Sequence, residues 1–205
     1  MLDKARELAR DAGYKGIYFV GQCLGYTNET KRMADYGFDE TTTYHYIEVP
    51  AGPDGEIPWV RPYDDIVAAS PAYWRAMRDA SPAAFLPNLT TGYRDHPWQD
   101  GPIEVHGRSV TAFRRLCEEA RRYAEETGAP RVCLGPLNEW GEGSYAEPNG
   151  EFGFGMYEAV RDSFGVKPEG GWPLNYTPAD IGRGPYPVPD DDGGPVKPFN
   201  GLRWR

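Results

Sequence analysis

The sequence VTAFRRLCEEARRYAEETGAPRVCLGPLNEWGEG, residues 110–143, holds one complete helix-to-strand step and the polar residues that follow it. Phe113, Leu116, Cys117, Ala120, Tyr123 and Ala124 fall on one stripe at the helical period, with Arg and Glu opposite. Gly128 stops that helix. Arg131 to Leu137 then reads as a buried strand. Asn138-Glu139-Trp140-Gly141-Glu142-Gly143 closes the stretch: two carboxylates three residues apart, an aromatic between them, and glycines on either side of the second.

The same alternation extends in both directions. Towards the N-terminus, Leu2, Leu8, Ala9 and Ala12 predict a helix that Gly13 ends. Gly16 to Gly21 is a short apolar run and predicts a strand. Asn28 to Tyr36 suits a short helix, and Phe38 to Tyr46, rich in Thr and Tyr, suits a second strand. Residues 50–65 read as a loop. Ser70-Pro71 looks like an N-cap followed by proline at the first helical position, with the helix running to about Asp79. Ala83 to Thr91 predicts the third strand, and Gly92 to Arg108 a long polar loop. Towards the C-terminus, Phe154, Tyr157, Val160 and Phe164 mark one face of a last helix.

Four strands alternating with helices predict parallel βαβ units and an α/β fold. The unit length fits a (β/α)8 TIM-type barrel, which needs about 250 residues in full. Only four units are present, and the first element is a helix. The expectation is therefore the C-terminal half of such a barrel, strands five to eight, over residues 1–165, with Met1 an internal or misassigned start. A doubly wound four-stranded sheet is the alternative. Residues 166–205 carry fifteen Pro or Gly in forty positions and the acid run Asp190-Asp191-Asp192. They predict an extended Pro/Gly-rich tail.

Composition narrows the function classes. A chain of 205 residues with 40% hydrophobic and 26% charged residues can bury a full core. Six Trp and fourteen Tyr are many for packing alone, and such rings often line carbohydrate sites. The formal net charge of −9 repels phosphate backbones, so nucleic acid is not expected as a partner. No apolar run reaches the ~18 residues of a membrane span, and no signal peptide is visible at Met1. Cys23, Cys117 and Cys133 are widely spaced and odd in number. They form no zinc-type pair and no disulfide framework, which favours a reducing, cytoplasmic setting. No metal and no organic cofactor is expected.

The chemistry concentrates at the predicted C-terminal ends of the strands. Glycine on either side of Glu142 lets the backbone turn after Trp140. In a helix-like turn, residues i and i+3 bring side chains within ~5–6 Å, near the ~5–5.5 Å carboxyl separation of retaining glycosidases. Two acids so close cannot both ionise freely, so one pKa should rise and supply a general acid at neutral pH. Acids decorating a helix N-terminus are the plainer alternative. Asn138 could orient an acid or bind a sugar hydroxyl, and Trp140 and Tyr145 offer ring faces. The third strand ends in Tyr93-Arg94-Asp95-His96-Pro97-Trp98. There Arg94 and Asp95 could hold hydroxyls, and Tyr93 or Trp98 could stack. Tyr44, His45 and Tyr46 end the second strand. Gln22 and Tyr26, after the first, are weaker candidates.

Residues 138–148, Asn-Glu-Trp-Gly-Glu-Gly-Ser-Tyr-Ala-Glu-Pro, with 153–160, Gly-Phe-Gly-Met-Tyr-Glu-Ala-Val, resemble the C-terminal end of the WbsX-like and glycoside hydrolase family 99-like group. The resemblance is specific there, looser at 83–98 and weak elsewhere. It implies a (β/α)8 barrel with its site at the C-terminal mouth and retaining action on α-mannosides. Glu139 would then assist the sugar's own 2-hydroxyl as internal nucleophile, and Glu142 would act as acid and then base. WbsX-like relatives are described as glycosyltransferases of polysaccharide clusters, so the resemblance implies hydrolysis or transfer on an oligosaccharide or polysaccharide. Two departures stand out. The first four strands of the group are absent, and Gly141 replaces a larger residue. The expectations are thus a carbohydrate-active enzyme, a non-catalytic carbohydrate-binding half-barrel, or a half-barrel that completes itself as a homodimer through its open strand edges.

Overall fold

The computed structural model describes residues 2–44, 60–94, 103–177, 180, 187–188 and 197–198. The chain divides into two compact units, Met1–Gly165 and Val166–Arg205. In the first unit the elements run α1 (Leu2–Asp11), β1 (Val20–Cys23), α2 (Thr27–Asp35), β2 (Glu40–Thr43), β3 (Val60–Pro62), α3 (Tyr63–Asp79), β4 (Ala84–Phe85), β5 (Asn88–Thr90), β6 (Glu104–His106), α4 (Val110–Thr127), β7 (Cys133–Gly135), β8 (Asn138–Glu139), β9 (Ser144–Tyr145) and α5 (Gly155–Phe164). A single 3-10 turn, Trp140–Glu142, joins β8 to β9. In the second unit β10 (Pro187–Val188) pairs antiparallel with β11 (Lys197–Pro198).

The architecture is mixed α/β with parallel pairing along the main strands. β1 pairs with β2 and β2 with β4, all parallel. β5 pairs parallel with β7. The predicted third strand is therefore split. Its first part, β4, lies on β2, where the Leu86 N–H still donates to the Thr41 carbonyl. Pro87 has no N–H for a ladder, but its carbonyl accepts from the Cys133 N–H at 2.9 Å. From there the strand continues as β5 against β7. Within β1-β2-β4 and β5-β7 the strand order follows the chain, and β3 and β6 form a separate parallel pair. The described strands do not close into a barrel.

The sheet curls sharply. In a flat sheet, β2 and β7 would be two strand spacings apart, about 9.5 Å. Instead a Cβ placed on Gly135 would lie 3.8 Å from the carbonyl oxygen of Tyr44, which follows β2. At the opposite end of the strands, Arg131 reaches the buried Glu40 carboxylate at 2.6 Å.

The helices form the core with the sheet. α3 buries Tyr63, Ile66, Val67, Ser70, Tyr73, Trp74 and Met77, a stripe at i, i+3, i+4 and i+7 spacing. α4 answers with Ala112, Phe113, Leu116, Cys117, Ala120 and Tyr123. Trp74 and Tyr123 meet edge to face at 5.7 Å, and the Tyr123 hydroxyl donates to the Trp74 carbonyl. Ser109 caps α4 by accepting from the Ala112 N–H at 3.1 Å, and Gly128 ends it in the left-handed region.

Several local expectations are corrected. Ser70-Pro71 starts no helix: α3 begins at Tyr63 and carries Pro71 in its interior. The Ser70 hydroxyl donates to the Ile66 carbonyl at 2.7 Å. The stripe of buried residues on either side outweighs an interior proline's cost of ~3 kcal/mol. The expected loops at 50–65 and 92–108 contain β3 and β6, which pair parallel. On α5 the buried residues are Met156, Ala159 and Ser163, while Tyr157 is exposed and Phe154 sits at the N-cap. α1 forms with its apolar stripe but buries no residue.

Candidate functional site

The acid-bearing stretch leaves β7 through the cis Gly135–Pro136 peptide and forms a small hairpin. β8 and β9 pair antiparallel, Asn138 with Tyr145 and Glu139 with Ser144. The Ala146 and Glu147 N–H groups both donate to the Leu137 carbonyl, closing the hairpin base. Gly143 follows the 3-10 turn at φ +60, a backbone state that side chains other than glycine rarely take. Glu139 immediately precedes the 3-10 turn that Glu142 ends, so the two acids lie at either end of one turn.

The structure brings the ends of the third and fourth strands together. The Arg94 N–H donates to the Glu142 carbonyl at 2.7 Å. The Ser144 hydroxyl donates to the Gly92 carbonyl, and the Thr91 hydroxyl donates to the Pro136 carbonyl at 3.0 Å. Beyond Arg94 the chain bridges antiparallel to Glu104, and the Val105 N–H donates to the Tyr93 carbonyl. The β3/β6 pair is therefore tied through Arg94 to the backbone of the Glu142 turn.

Burial raises the Glu142 carboxyl above the ordinary glutamate range, and the nearby Glu139 charge raises it further. Glu142 is half-buried and Glu139 exposed. The turn thus holds one acid that stays protonated to higher pH and one open to solvent.

The rings beside the acids are fixed. Trp140 and Tyr145 stack with centroids 4.0 Å apart and planes 17° from parallel. The Arg108 guanidinium lies 4.4 Å from the Tyr145 centroid. With Trp140 on one face, that cation must occupy the other, so Tyr145 has no face left for a ligand. The Trp140 indole N–H donates to Glu147. The Tyr145 hydroxyl donates to Glu151. Burial raises the Tyr145 phenol most, followed by that bond.

The other sequence candidates scatter. Asn138 is exposed on β8. Arg94 is exposed, with Glu104 at 3.8 Å. Tyr93 is buried, with 8% of its surface exposed, so its ring is core rather than platform. Tyr44 is half-buried at the end of β2. Gln22 and Tyr26 are exposed at the β1 edge. Tyr46, His45, Asp95, His96 and Trp98 lie outside the described residues. Arg108, Glu147 and Glu151 were not singled out from sequence. Arg108 sits in what reads as a loop, and no spacing marks it. Glu147 and Glu151 lie in the acidic stretch after the hairpin and could have been flagged as partners for its rings. Among the described residues no group of three or more His, Cys, Asp or Glu could hold a metal ion. No described helix is long and apolar enough to cross a membrane.

No protein-family profile matches the chain, and no curated protein matches it. Among solved structures, the GH99 endo-alpha-mannosidase from Bacteriodes thetaiotaomicron, in complex with bis-tris-propane, aligns at 22% identity and a TM-score of 0.41. The alignment covers 76% of this chain and 48% of that one, so the chain spans about half the mannosidase's length. A 2,3-dimethylmalate lyase of the PEP mutase/isocitrate lyase superfamily aligns at 11% identity and a TM-score of 0.31, covering 78% of this chain and 59% of that one. At these values both likenesses are distant.

Proposed function

We propose that the first unit is the acid-bearing C-terminal half of a (β/α)8 barrel and that its site acts on carbohydrate as a retaining glycoside hydrolase. The parallel pairing of β1-β2-β4 and of β5-β7, each in chain order, supports the barrel reading. So does the close approach of Gly135 on β7 to the Tyr44 carbonyl just after β2, since alternate strands build the layers inside such barrels.

One arrangement carries the functional reading: Glu139 and Glu142 stand on one hairpin turn that also carries Trp140, and burial with the neighbouring Glu139 charge raises the Glu142 carboxyl. Paired carboxylates with separated pKa values are what glycoside cleavage needs. Glu142 donates its proton to the glycosidic oxygen as the bond to the anomeric carbon breaks. Glu139 takes the proton of the sugar's 2-hydroxyl, whose oxygen closes on that carbon. Glu142, now a carboxylate, then takes a proton from water, whose oxygen bonds to the anomeric carbon as the bond from that carbon to the 2-oxygen breaks. Glu139 returns its proton to the 2-oxygen, and the anomeric configuration is restored. The outer face of Trp140 supports the sugar ring, and Asn138 and Arg94 bind its hydroxyls. Asp95, Trp98, Tyr44 and Tyr46 are assigned to the same mouth from sequence. With a sugar hydroxyl in place of water, the second step gives transfer, the activity expected of a polysaccharide-building relative.

The test is a panel of aryl α- and β-glycosides and soluble mannans, with the anomer of the first product read by NMR. Retention, lost in both Glu139→Gln and Glu142→Gln, is the expected outcome. Inversion, or equal turnover in the wild type and both variants, contradicts the proposal. Elongated products without net hydrolysis would assign transfer.

A further inference from the structure

Arg108 lies between β6 and α4, outside every stretch that sequence marks as chemical. Its side chain is 12% exposed. One nitrogen, Nη1, donates to the Thr91 carbonyl at 2.9 Å and to the Gly143 carbonyl at 2.5 Å. The first carbonyl belongs to the end of the third strand. The second follows Glu142 directly. The guanidinium plane also covers Tyr145 at 4.4 Å and approaches Phe152 at 5.3 Å. Glu151 lies 3.5 Å from Nη2 and accepts the Tyr145 hydroxyl proton, so cation, carboxylate and phenol form a closed set.

The sequence makes room for this arginine. Gly92 has φ +97, and a Cβ there would collide with Arg108 Cδ. The glycine is needed both for its backbone state and for the path of the arginine stem. A lysine ammonium could donate to both carbonyls but has no planar group to cover the Tyr145 ring while a second nitrogen reaches Glu151.

We propose that Arg108 is the positioning residue of the carboxylate turn: it ties the Glu142 turn to the third strand and holds Tyr145, and through it Trp140, in the orientation that receives the sugar. This rests on the functional reading above for its consequence in catalysis, but not for its consequence in geometry. Arg108 touches no reacting atom. Its guanidinium acts through the Gly143 carbonyl and the Tyr145 ring. A shift of ~1 Å in a catalytic group can cost ~10²-fold in rate, so loss of this tie should be felt at Glu142.

The test compares Arg108→Lys, Arg108→Gln and Arg108→Ala in the full chain. Two readouts are taken beside thermal stability. The first is the near-UV circular dichroism of the Trp140–Tyr145 stack, isolated as wild type minus Trp140→Phe. The second is kcat and KM on whichever aryl glycoside the wild type turns over. In Arg108→Gln and Arg108→Ala the stack signal should fall by at least about half and kcat by about 10- to 100-fold. Arg108→Lys should recover less than half of either loss. A stack signal unchanged in Arg108→Gln overturns the proposal, whether or not any glycoside is cleaved. A wild type that cleaves none, with the stack signal lost as expected, would instead overturn the functional reading and leave the positioning role standing. If Arg108→Ala does not fold, the Gln and Lys variants decide. Equal kcat in Lys, Gln and wild type would also overturn the proposal.

Discussion

The helix-covered side of the sheet and the ends of its strands obey different rules. On the helix side, α3 and α4 meet through Trp74, Met77, Phe113, Leu116 and Tyr123, all essentially without exposed surface. Contacts there are apolar and many, and no single one decides a direction. At the strand ends, the backbone carbonyls of Thr91, Pro136 and Gly143 accept from named side chains, and the Glu142 carbonyl accepts from the Arg94 N–H and the Ser144 hydroxyl. The helix side supplies stability by area. The strand ends supply geometry by hydrogen bonds, and they keep two carboxylates close at an energetic cost. A site can afford like charges side by side only where the rest of the unit carries the stability.

That contrast can be broken from either side. The largest effect should come from Trp74→Ala, which empties the centre of the helix layer and should cost about 3–5 kcal/mol in urea unfolding. The pH at which activity is halved should not move, because Trp74 does not touch the turn. A shifted pH profile would mean the two sides are coupled. Gly92→Ala should come next. It forces alanine into the left-handed region and into the arginine stem, at about 1–3 kcal/mol. It should also weaken the Trp140–Tyr145 stack signal, which Trp74→Ala leaves alone. A Gly92→Ala protein with wild-type stability and stack would remove the claimed fit.

The smallest effect is the most diagnostic. The raised Glu142 carboxyl binds more protons folded than unfolded. Its contribution to stability is therefore fully present below the ordinary glutamate pKa and is lost as pH rises through the higher, folded value. Glu142→Gln has no such loss. The variant should gain on the wild type across that window and run parallel to it above, as read by Tm against pH. A pH-independent difference would show that the carboxyl is not raised.

Sequence carried the helix layer well and the strand ends unevenly. The α4 stripe is legible because 3.6-residue periodicity and the stop at Gly128 agree, while the Ser109 cap emerges only in the structure. α1 has an apolar stripe of the same kind, yet buries nothing. Periodicity reports which face seeks burial, while neighbours decide whether it is met. The break between β4 and β5 at Pro87 was missed because an apolar run hides which strand it pairs with. The interior Pro71 misled because local propensity was outweighed by burial on both sides of it. Within the site, the carboxylates and Trp140 stand out by type and spacing. Tyr145 was read as a platform, but its second face is taken by Arg108, and nothing in the spacing between residues 108 and 145 marks that contact.

The central claim is that Glu142 is the proton donor, and the pH dependence of kcat/KM tests it most directly. On an aryl glycoside with a poor leaving group, the wild type should lose activity on the alkaline side as Glu142 ionises. Glu142→Gln should lower the rate by about 10²–10⁴-fold and lose that alkaline limb. A Glu142→Gln enzyme that keeps both the rate and the limb would contradict the account.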